Sequence, residues 1–338
     1  MFNVALVGRW HVHSHKPDER YVKELLCQPD CRVVAVWDED SVIAKNWAEE
    51  YGVNAEDSLE SLLSRPDVDG IIVTSAEKDH REIFIKAAEH KKHIFTEKVL
   101  SFSPEDAFAI RDAVKKSGVK FCISFMRLGI KQFTYAKKLI DSGVLGEPVM
   151  FRCLCGHRGG LNGGFPEYWF DPEISGGGAM IDLGFNSAYL AHYIMGKMES
   201  VSSSFGYSVL KERVEDNASC NVRFKSGAMG LIDATFTSPC ISVFELAVYG
   251  TNGSYYTRFG GSDLTEIRLN GDSPRTIELS EIPEEHETPI KTWIKACTEG
   301  ASDELYGIDA AVDMVLFMEA AYRSHRNDGK RVDLIENA

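Results

Sequence analysis

Residues 1–13 read Met-Phe-Asn-Val-Ala-Leu-Val-Gly-Arg-Trp-His-Val-His. Val4 to Val7 is a short apolar run that stops at Gly8. That is the pattern of a strand buried on both faces, with glycine where the chain turns sharply. A polar helical stretch follows, with Tyr21, Val22, Leu25 and Leu26 on one face, and then a second apolar run, Arg32 to Trp37, closed by Asp38. Strand, glycine turn, helix, strand and acid is the order of a dinucleotide-binding unit.

Outward from this stretch the alternation continues. The pattern predicts a helix over Val42 to Tyr51, a strand at Gly70 to Thr74, a helix over His80 to His90, and strands at Lys92 to Thr96 and Val119 to Ser124. Ser103-Pro-Glu-Asp is a helix start, with serine as cap, proline at the first position and acids in the first turn. Strands alternating with helices imply an α/β fold, a Rossmann-type doubly wound parallel sheet, over residues 1–124. After Phe125 the rhythm changes. A helix over Phe133 to Ser142 leads to a strand at Val149 to Cys155, a glycine-rich loop, and a helix after Gly176-Gly-Gly178. From Val201 to Leu279 short strands alternate with turn signals such as Lys225-Ser-Gly227 and Asn270-Gly271, and the chain closes on an amphipathic helix, Ile308 to Arg326. Residues 125–338 therefore read as an α+β domain with a mostly antiparallel open sheet, expected to bind substrate and to carry the contacts of an oligomer.

The chain has 338 residues, 44% of them hydrophobic, and a net charge of −14, which suits two globular domains and argues against non-specific binding to nucleic acid or to an anionic membrane. The N-terminus carries no basic leader and no long apolar run, so a cytoplasmic protein is expected. The eight cysteines are scattered, most in apolar contexts, and read as reduced core residues.

The turn Gly8-Arg9-Trp10-His11-Val12-His13 keeps the first glycine of the Gly-x-Gly-x-x-Gly pattern and puts Trp10 and His13 in place of the other two. Asp38, at the end of the second strand, is placed to accept hydrogen bonds from ribose hydroxyls and would repel a 2′-phosphate, so NAD is favoured over NADP; the plainer reading of Asp38 is a turn cap. His11, His13 and His15 alternate, but side chains in a turn entering a helix are not expected to converge, so no metal is expected.

Hydride transfer from an alcohol needs a base for the hydroxyl proton and gains from a cation near the developing alkoxide. Thr96-Glu97-Lys98-Val99 ends a parallel strand at the edge where ligands bind in such sheets, which makes Lys98 a candidate for the reacting oxygen and Glu97 for the cofactor or for orienting Lys98; a surface ion pair is the alternative. Asp182 and Asn186 are four apart after the triple glycine and are expected on one helix face, Asp182 near the lysine and Asn186 on a sugar hydroxyl; the alternative for Asp182 is a first-turn acid. The loop from His157 to Trp169 and Phe170 offers an imidazole and aromatic faces to a sugar, and Arg127 lies where it could reach cofactor or substrate; packing and ion pairing are the alternatives for these residues.

With these residues in view, the sequence resembles the Gfo/Idh/MocA oxidoreductases, the glucose–fructose oxidoreductase and inositol dehydrogenase family, over essentially its whole length. Glu97-Lys98-Val99 is similar to the family's Glu-Lys-Pro, and Thr74-Ser75 followed by His80 and Glu82 to its Asn-x-x-His-x-Glu stretch, with Glu77 where asparagine is usual. Ile140 to Pro148, Gly176 to Gly184, Val214 to Ala218 and Gly307 to Arg323 are similar to further family stretches. The resemblance implies NAD(P)-dependent chemistry at a CH–OH group of a sugar, cyclitol or related polyol, a homodimer or homotetramer, cofactor contacts from Gly8, Trp10, His11, Val12, Asp38, Thr74, Ser75, His80, Glu97, Lys98 and Arg127, and substrate contacts from His157, Trp169, Asp182 and Asn186. It assigns Lys98 to the reacting hydroxyl with Asp182, and it puts Asn186 where the family carries its basic histidine. Three readings follow: a dehydrogenase in which Lys98 with Asp182, or a nearby histidine such as His157, moves the proton; a non-catalytic nucleotide or sugar binder; and a redox-neutral glycoside-processing enzyme with tightly held NAD.

Overall fold

The computed structural model describes residues 1–16, 19–161, 165–211, 213–260, 263–284 and 286–336. Residues 17 and 18, in the stretch read as the first helix, and 162–164, in the loop read as facing substrate, lie outside the described residues. The chain divides into two compact units, Met1–Ser124 with Glu287–Val315, and Phe125–His286 with Leu316–Ala338. The break after Ser124 falls where the rhythm of the sequence changes. The expectation of one continuous second domain is corrected, because residues 287–315 return to the first unit.

In the first unit the strands β1 (Phe2–Arg9), β2 (Cys31–Trp37), β3 (Asn54–Ala55), β4 (Gly70–Thr74), β5 (His93–Thr96) and β6 (Phe121–Ile123) form one sheet in the order β3-β2-β1-β4-β5-β6. Every pair is parallel. β4 is buried at all five positions, as a central strand covered on both faces must be. The direction of winding reverses between β1 and β4, so their carboxyl ends open the crevice in which such sheets bind ligands. The helix Pro104–Ser117 starts as its sequence implies, the Ser103 hydroxyl accepting the Asp106 amide at 3.1 Å. The returning helix Pro289–Glu299 sets a fully buried Trp293 edge-on against Phe2, with centroids 5.2 Å apart, and 5.8 Å from Phe95. Burying a ring of that size contributes roughly 3 kcal/mol, which is why a segment so distant in sequence belongs to this sheet.

The second unit carries nine strands: β7 (Pro148–His157), β8 (Met198–Gly206), β9 (Asn217–Phe224), β10 (Met229–Thr235), β11 (Ser242–Gly250), β12 (Gly253–Phe259), β13 (Leu264–Leu269), β14 (Arg275–Thr276) and β15 (Val332–Asp333). Their order is β14-β13-β12-β11-β7-β10-β9-β8-β15, antiparallel except for the β7–β10 pair. Period-two alternation decides the faces. Phe151, Cys153 and Cys155 of β7 and Phe244, Leu246 and Val248 of β11 are buried on the face that meets the helices Lys131–Asp141 and Phe185–Met195. The other face shows half-buried Met150, Leu154, Leu231 and Val243 and exposed Met229 and Tyr249. Five of the cysteines are buried, but Cys27 and Cys240 are exposed and Cys297 is half-buried, which corrects the core reading for those three. Among the described residues no helix is long and apolar enough to cross a membrane.

Candidate functional site

The first unit gathers its polar side chains at the carboxyl ends of β1, β4 and β5. Gly8 has φ +69°, and a Cβ there would lie 2.4 Å from the Ser75 Cβ, so only glycine lets β1 turn against β4. The Thr74 hydroxyl donates to the Gly8 carbonyl, and the Thr74 carbonyl accepts the Trp10 and His11 amides at 3.1 and 3.0 Å. Those two amides are thus spent inside the turn. The chain passes through a short 3-10 turn, Val12–Ser14, and the first α-helix begins only at Arg20.

Asp38 accepts the Arg9 amide at 2.7 Å on one oxygen and the Asp40 amide at 2.8 Å on the other. Each carboxylate oxygen keeps a second lone pair for a ribose hydroxyl, so the capping and the cofactor readings are compatible. The Arg9 guanidinium grips both oxygens of Glu50 at 2.8 Å and lies 5.4 Å from the Trp47 ring centroid, away from any role on a 2′-phosphate. Asp38 thus stands at the end of β2, where the sequence places a ribose-binding acid.

Glu97 stands at the end of β5, buried, with five groups around it. Its Oε2 accepts the Lys98 amide at 2.7 Å and the Ser124 hydroxyl. Its Oε1 meets the His13 Nδ1 and the Tyr21 hydroxyl, and the His11 Nδ1 lies 3.7 Å away. Burial alone would push this carboxyl up; the charges of His11 and His13 and the His13 hydrogen bond outweigh it and hold Glu97 well below the usual carboxylate range. Burial, and then the Glu97 charge, raise the Tyr21 hydroxyl well above its ordinary value. The His11 and His13 rings are 4.4 Å apart between centroids, which corrects the expectation that they would not converge, whereas His15 turns to the Arg9 carbonyl at 3.0 Å. Tyr21 and Ser124 carried no signal of this role; Tyr21 read simply as one of the apolar residues of a helix face.

His80 is also relocated. It is wholly buried, its Nδ1 donates to the Val99 and Leu100 carbonyls at 2.9 and 3.2 Å, and burial pulls its pKa down to about 4 against the pull of the Leu100, Val99 and Ser75 backbone. A ring with no exposed surface does not touch a cofactor; it fixes the loop that follows Lys98.

In the second unit, Asp182 lies in a π-helical turn, Met180–Gly184, that runs into the helix Phe185–Met195. The turn is pinned from behind. Glu215 Oε1 accepts the Gly178 and Met180 amides, both at 2.9 Å, and the Tyr322 hydroxyl at 2.6 Å. A Cβ on Gly178 would sit 2.1 Å from the Glu215 carbonyl oxygen, so the chain can approach this closely only as glycine. Glu215 had been visible only as part of the Val214 to Ala218 stretch. Burial raises its pKa, against the opposing hydrogen bonds from Tyr322 and the backbone.

The Asp182 Oδ2 is 3.7 Å from the His157 Nε2. The His157 Nδ1 accepts the Gly159 amide at 3.0 Å, so the neutral ring carries its proton on Nε2, toward Asp182. His157 thus turns an N–H edge toward the carboxylate at a distance beyond hydrogen-bond range. Its ring stacks on Phe236 with centroids 5.0 Å apart. Asn186 donates to the Asp182 carbonyl at 3.2 Å and accepts the Tyr189 hydroxyl at 3.1 Å, so its amide braces the π turn. Trp169 is buried and stacked on Phe165 at 5.3 Å, which corrects its reading as an open platform for a sugar. Arg127 holds its guanidinium 5.0 Å from the Phe244 ring centroid, the packing alternative.

Comparison with known proteins agrees with this fold. A family model described as "Oxidoreductase family, NAD-binding Rossmann fold" matches residues 2–125, and one described as "GFO/IDH/MocA C-terminal domain" matches residues 133–256. The scyllo-inositol 2-dehydrogenase (NAD(+)) of Bacillus subtilis is 31% identical over 235 residues, 68% of this chain and 66% of that protein, so the match spans just under two thirds of the relative. The myo-inositol 2-dehydrogenase of Thermotoga maritima is 25% identical over 75% of this chain and 77% of its own. Among solved structures, a levoglucosan dehydrogenase in complex with NADH superposes with a TM-score of 0.85 at 22% identity, covering 99% of each chain, and so shares the fold. The chain belongs to the Gfo/Idh/MocA family of oxidoreductases, with an NAD-binding Rossmann fold at its N-terminus.

Proposed function

We propose that the protein is an NAD-dependent dehydrogenase that oxidises a CH–OH group of a cyclitol, sugar or related polyol, with Lys98 and Asp182 as the groups that handle the hydroxyl. The observation that carries this reading is the setting of Lys98. It follows directly on β5, and its amide is fixed by the Glu97 carboxylate at 2.7 Å and the Ser124 hydroxyl at 3.1 Å at the edge of the sheet where ligands bind. The inositol dehydrogenases among the relatives support the substrate class.

When bound, NAD supplies the hydride acceptor. Gly8 and Asp38 hold the dinucleotide, Asp38 through its free lone pairs. The Lys98 ammonium stabilises the alkoxide as it develops. Asp182 accepts the hydroxyl proton, with the His157 ring beside its carboxylate. Asn186 takes no proton; it holds the turn that presents Asp182.

The experiment is to follow NADH formation with a panel of inositols, aldoses and anhydrosugars. Turnover with a polyol, lost in Lys98→Met, is expected. A binding-only role is the second reading, favoured by the spent amides of Trp10 and His11 and by the engaged Asn186. Cofactor reduction with any member of the panel refutes it. We further infer a cytoplasmic protein that forms a homodimer or homotetramer, the assembly being supported by the apolar side chains on the outer face of the nine-stranded sheet. Light scattering on the purified chain tests the assembly, a monomer being the contrary result.

A further inference from the structure

We propose that Glu50 is a specificity-determining residue for the dinucleotide: by gripping the Arg9 guanidinium, it withholds from a 2′-phosphate a cation that the fold anchors on Asp38. The inference rests on the reading that Asp38 receives the adenosine ribose of NAD. NADP differs by a phosphate on the 2′ oxygen of that ribose, so the charges set beside Asp38 decide between the two cofactors. Arg9 ends β1, and its amide donates to Asp38 Oδ2 at 2.7 Å, which puts the Arg9 Cα within about 4.2 Å of that oxygen. The arginine side chain is long, so from this anchor the guanidinium can turn toward the ribose side of Asp38 or away from it.

In the structure it turns away. Nη1 and Nη2 donate to Glu50 Oε1 and Oε2, both at 2.8 Å, in the bidentate geometry that suits an arginine and a carboxylate best. Nε reaches the Ser14 carbonyl at 3.4 Å, and the guanidinium carbon lies 5.4 Å from the Trp47 ring centroid. Only 9% of the Arg9 side chain is exposed, against 30% for Glu50. A phosphate that took the guanidinium fork would have to break both bonds to Glu50 and leave that carboxylate without them.

The place of Glu50 is not explained by its own helix. It lies in the last turn of Ser41–Tyr51, where the helix dipole disfavours an acid, and that turn holds no basic residue to offset it. The compensating charge comes from Arg9, whose hydrogen bonds hold the Glu50 carboxyl below its ordinary value, so it stays charged through the neutral range. Lys16 Nζ, on a side chain 55% exposed, stands 3.7 Å from Glu50 Oε2 and is a looser second cation on the same group. Asp38 and Glu50 then act on a 2′-phosphate in two ways: Asp38 repels it, and Glu50 holds back the arginine that would pair with it. A pair that merely tied β1 to the helix would affect NAD and NADP in the same proportion when broken.

The test is calorimetric titration of the full-length chain, freed of carried-over dinucleotide, with NAD and with NADP, in the parent, in Asp38→Ser, and in each of these with Glu50→Ala added. Glu50→Ala is expected to tighten NADP by about 10-fold or more in the Asp38→Ser background while keeping the Kd for NAD within about 3-fold. Glu50→Gln, which loses the charge and keeps one acceptor, should shift NADP in the same direction by less. The gain should disappear when Arg9→Met is added, persist when Lys16→Gln is added, and shrink at high salt. No tightening of NADP, equal changes for the two cofactors, a gain that survives Arg9→Met, or one that depends on Lys16 instead would each overturn the inference. A parent that binds neither dinucleotide would overturn the NAD reading together with it, whereas normal NAD binding by every variant with no response to NADP would overturn this inference alone.

Discussion

His80 ties the acid stability of the first unit to one buried ring. Its pKa is about 4 in the folded chain against an ordinary value near 6.5. A depressed pKa means that the unfolded chain binds a proton the folded chain refuses. The stability it carries is fully present above pH 6.5, declines as pH falls, and is lost by the time pH reaches the folded value near 4. With 1.36 kcal/mol for each pH unit of separation, the difference at pH 4 amounts to roughly 3 kcal/mol, with about half of it reached near pH 5.3. The comparison that isolates this is His80→Asn. The asparagine amide can replace Nδ1 as donor to the Val99 and Leu100 carbonyls and does not titrate in this range. Urea unfolding followed by circular dichroism at pH 7, 6, 5 and 4 should show the parent losing about 3 kcal/mol more than the variant between the ends of the series. Parallel stability curves for the two proteins would refute the reasoning, since every other titrating group is common to both.

Further outcomes follow from the same structure. Gly8→Ala places a Cβ 2.4 Å from the Ser75 Cβ at φ +69°, and should cost at least ~1–2 kcal/mol in stability and abolish NAD binding by calorimetry. Trp293→Ala empties a fully buried site against Phe2 and Phe95 and should destabilise the first unit by about 3–5 kcal/mol in a denaturant titration. Asp38→Ala should narrow the preference for NAD over NADP by about 10-fold or more, measured as the ratio of the two dissociation constants, because Arg9 remains tied to Glu50 and the repulsive carboxylate is gone.

Much of the architecture was legible because local and global signals agreed. The run Gly70 to Thr74 is apolar and β-branched and becomes a strand buried at every position; Ser103-Pro104 starts a helix as its capping chemistry requires; the closing helix spans Ile308–Arg326 as its periodicity indicates. What escaped the sequence depended on partners far along the chain. Nothing near Pro289–Glu299 says that Trp293 packs on Phe2. The alternating histidines looked divergent because the residue they converge on, Glu97, is 84 positions beyond His13. Asp182 and Asn186 were expected to line one helix face, but a π turn intervenes and Asn186 bonds back to the turn itself. Lys98 and Asp182 stood out through the order of motifs around them, whereas the residues that set their backbone, Ser124 and Glu215, were set apart by neither type nor spacing.

The most direct test of the central claim is the rate of NADH formation by the purified chain with the inositol and sugar panel, in the parent and in Lys98→Met. On the dehydrogenase reading the parent turns over at least one polyol with NAD, and kcat falls by about 100- to 10,000-fold in the variant with NAD binding retained. A parent that binds NAD and reduces none of it with any member of the panel, or a Lys98→Met variant that turns over at the parental rate, would contradict it.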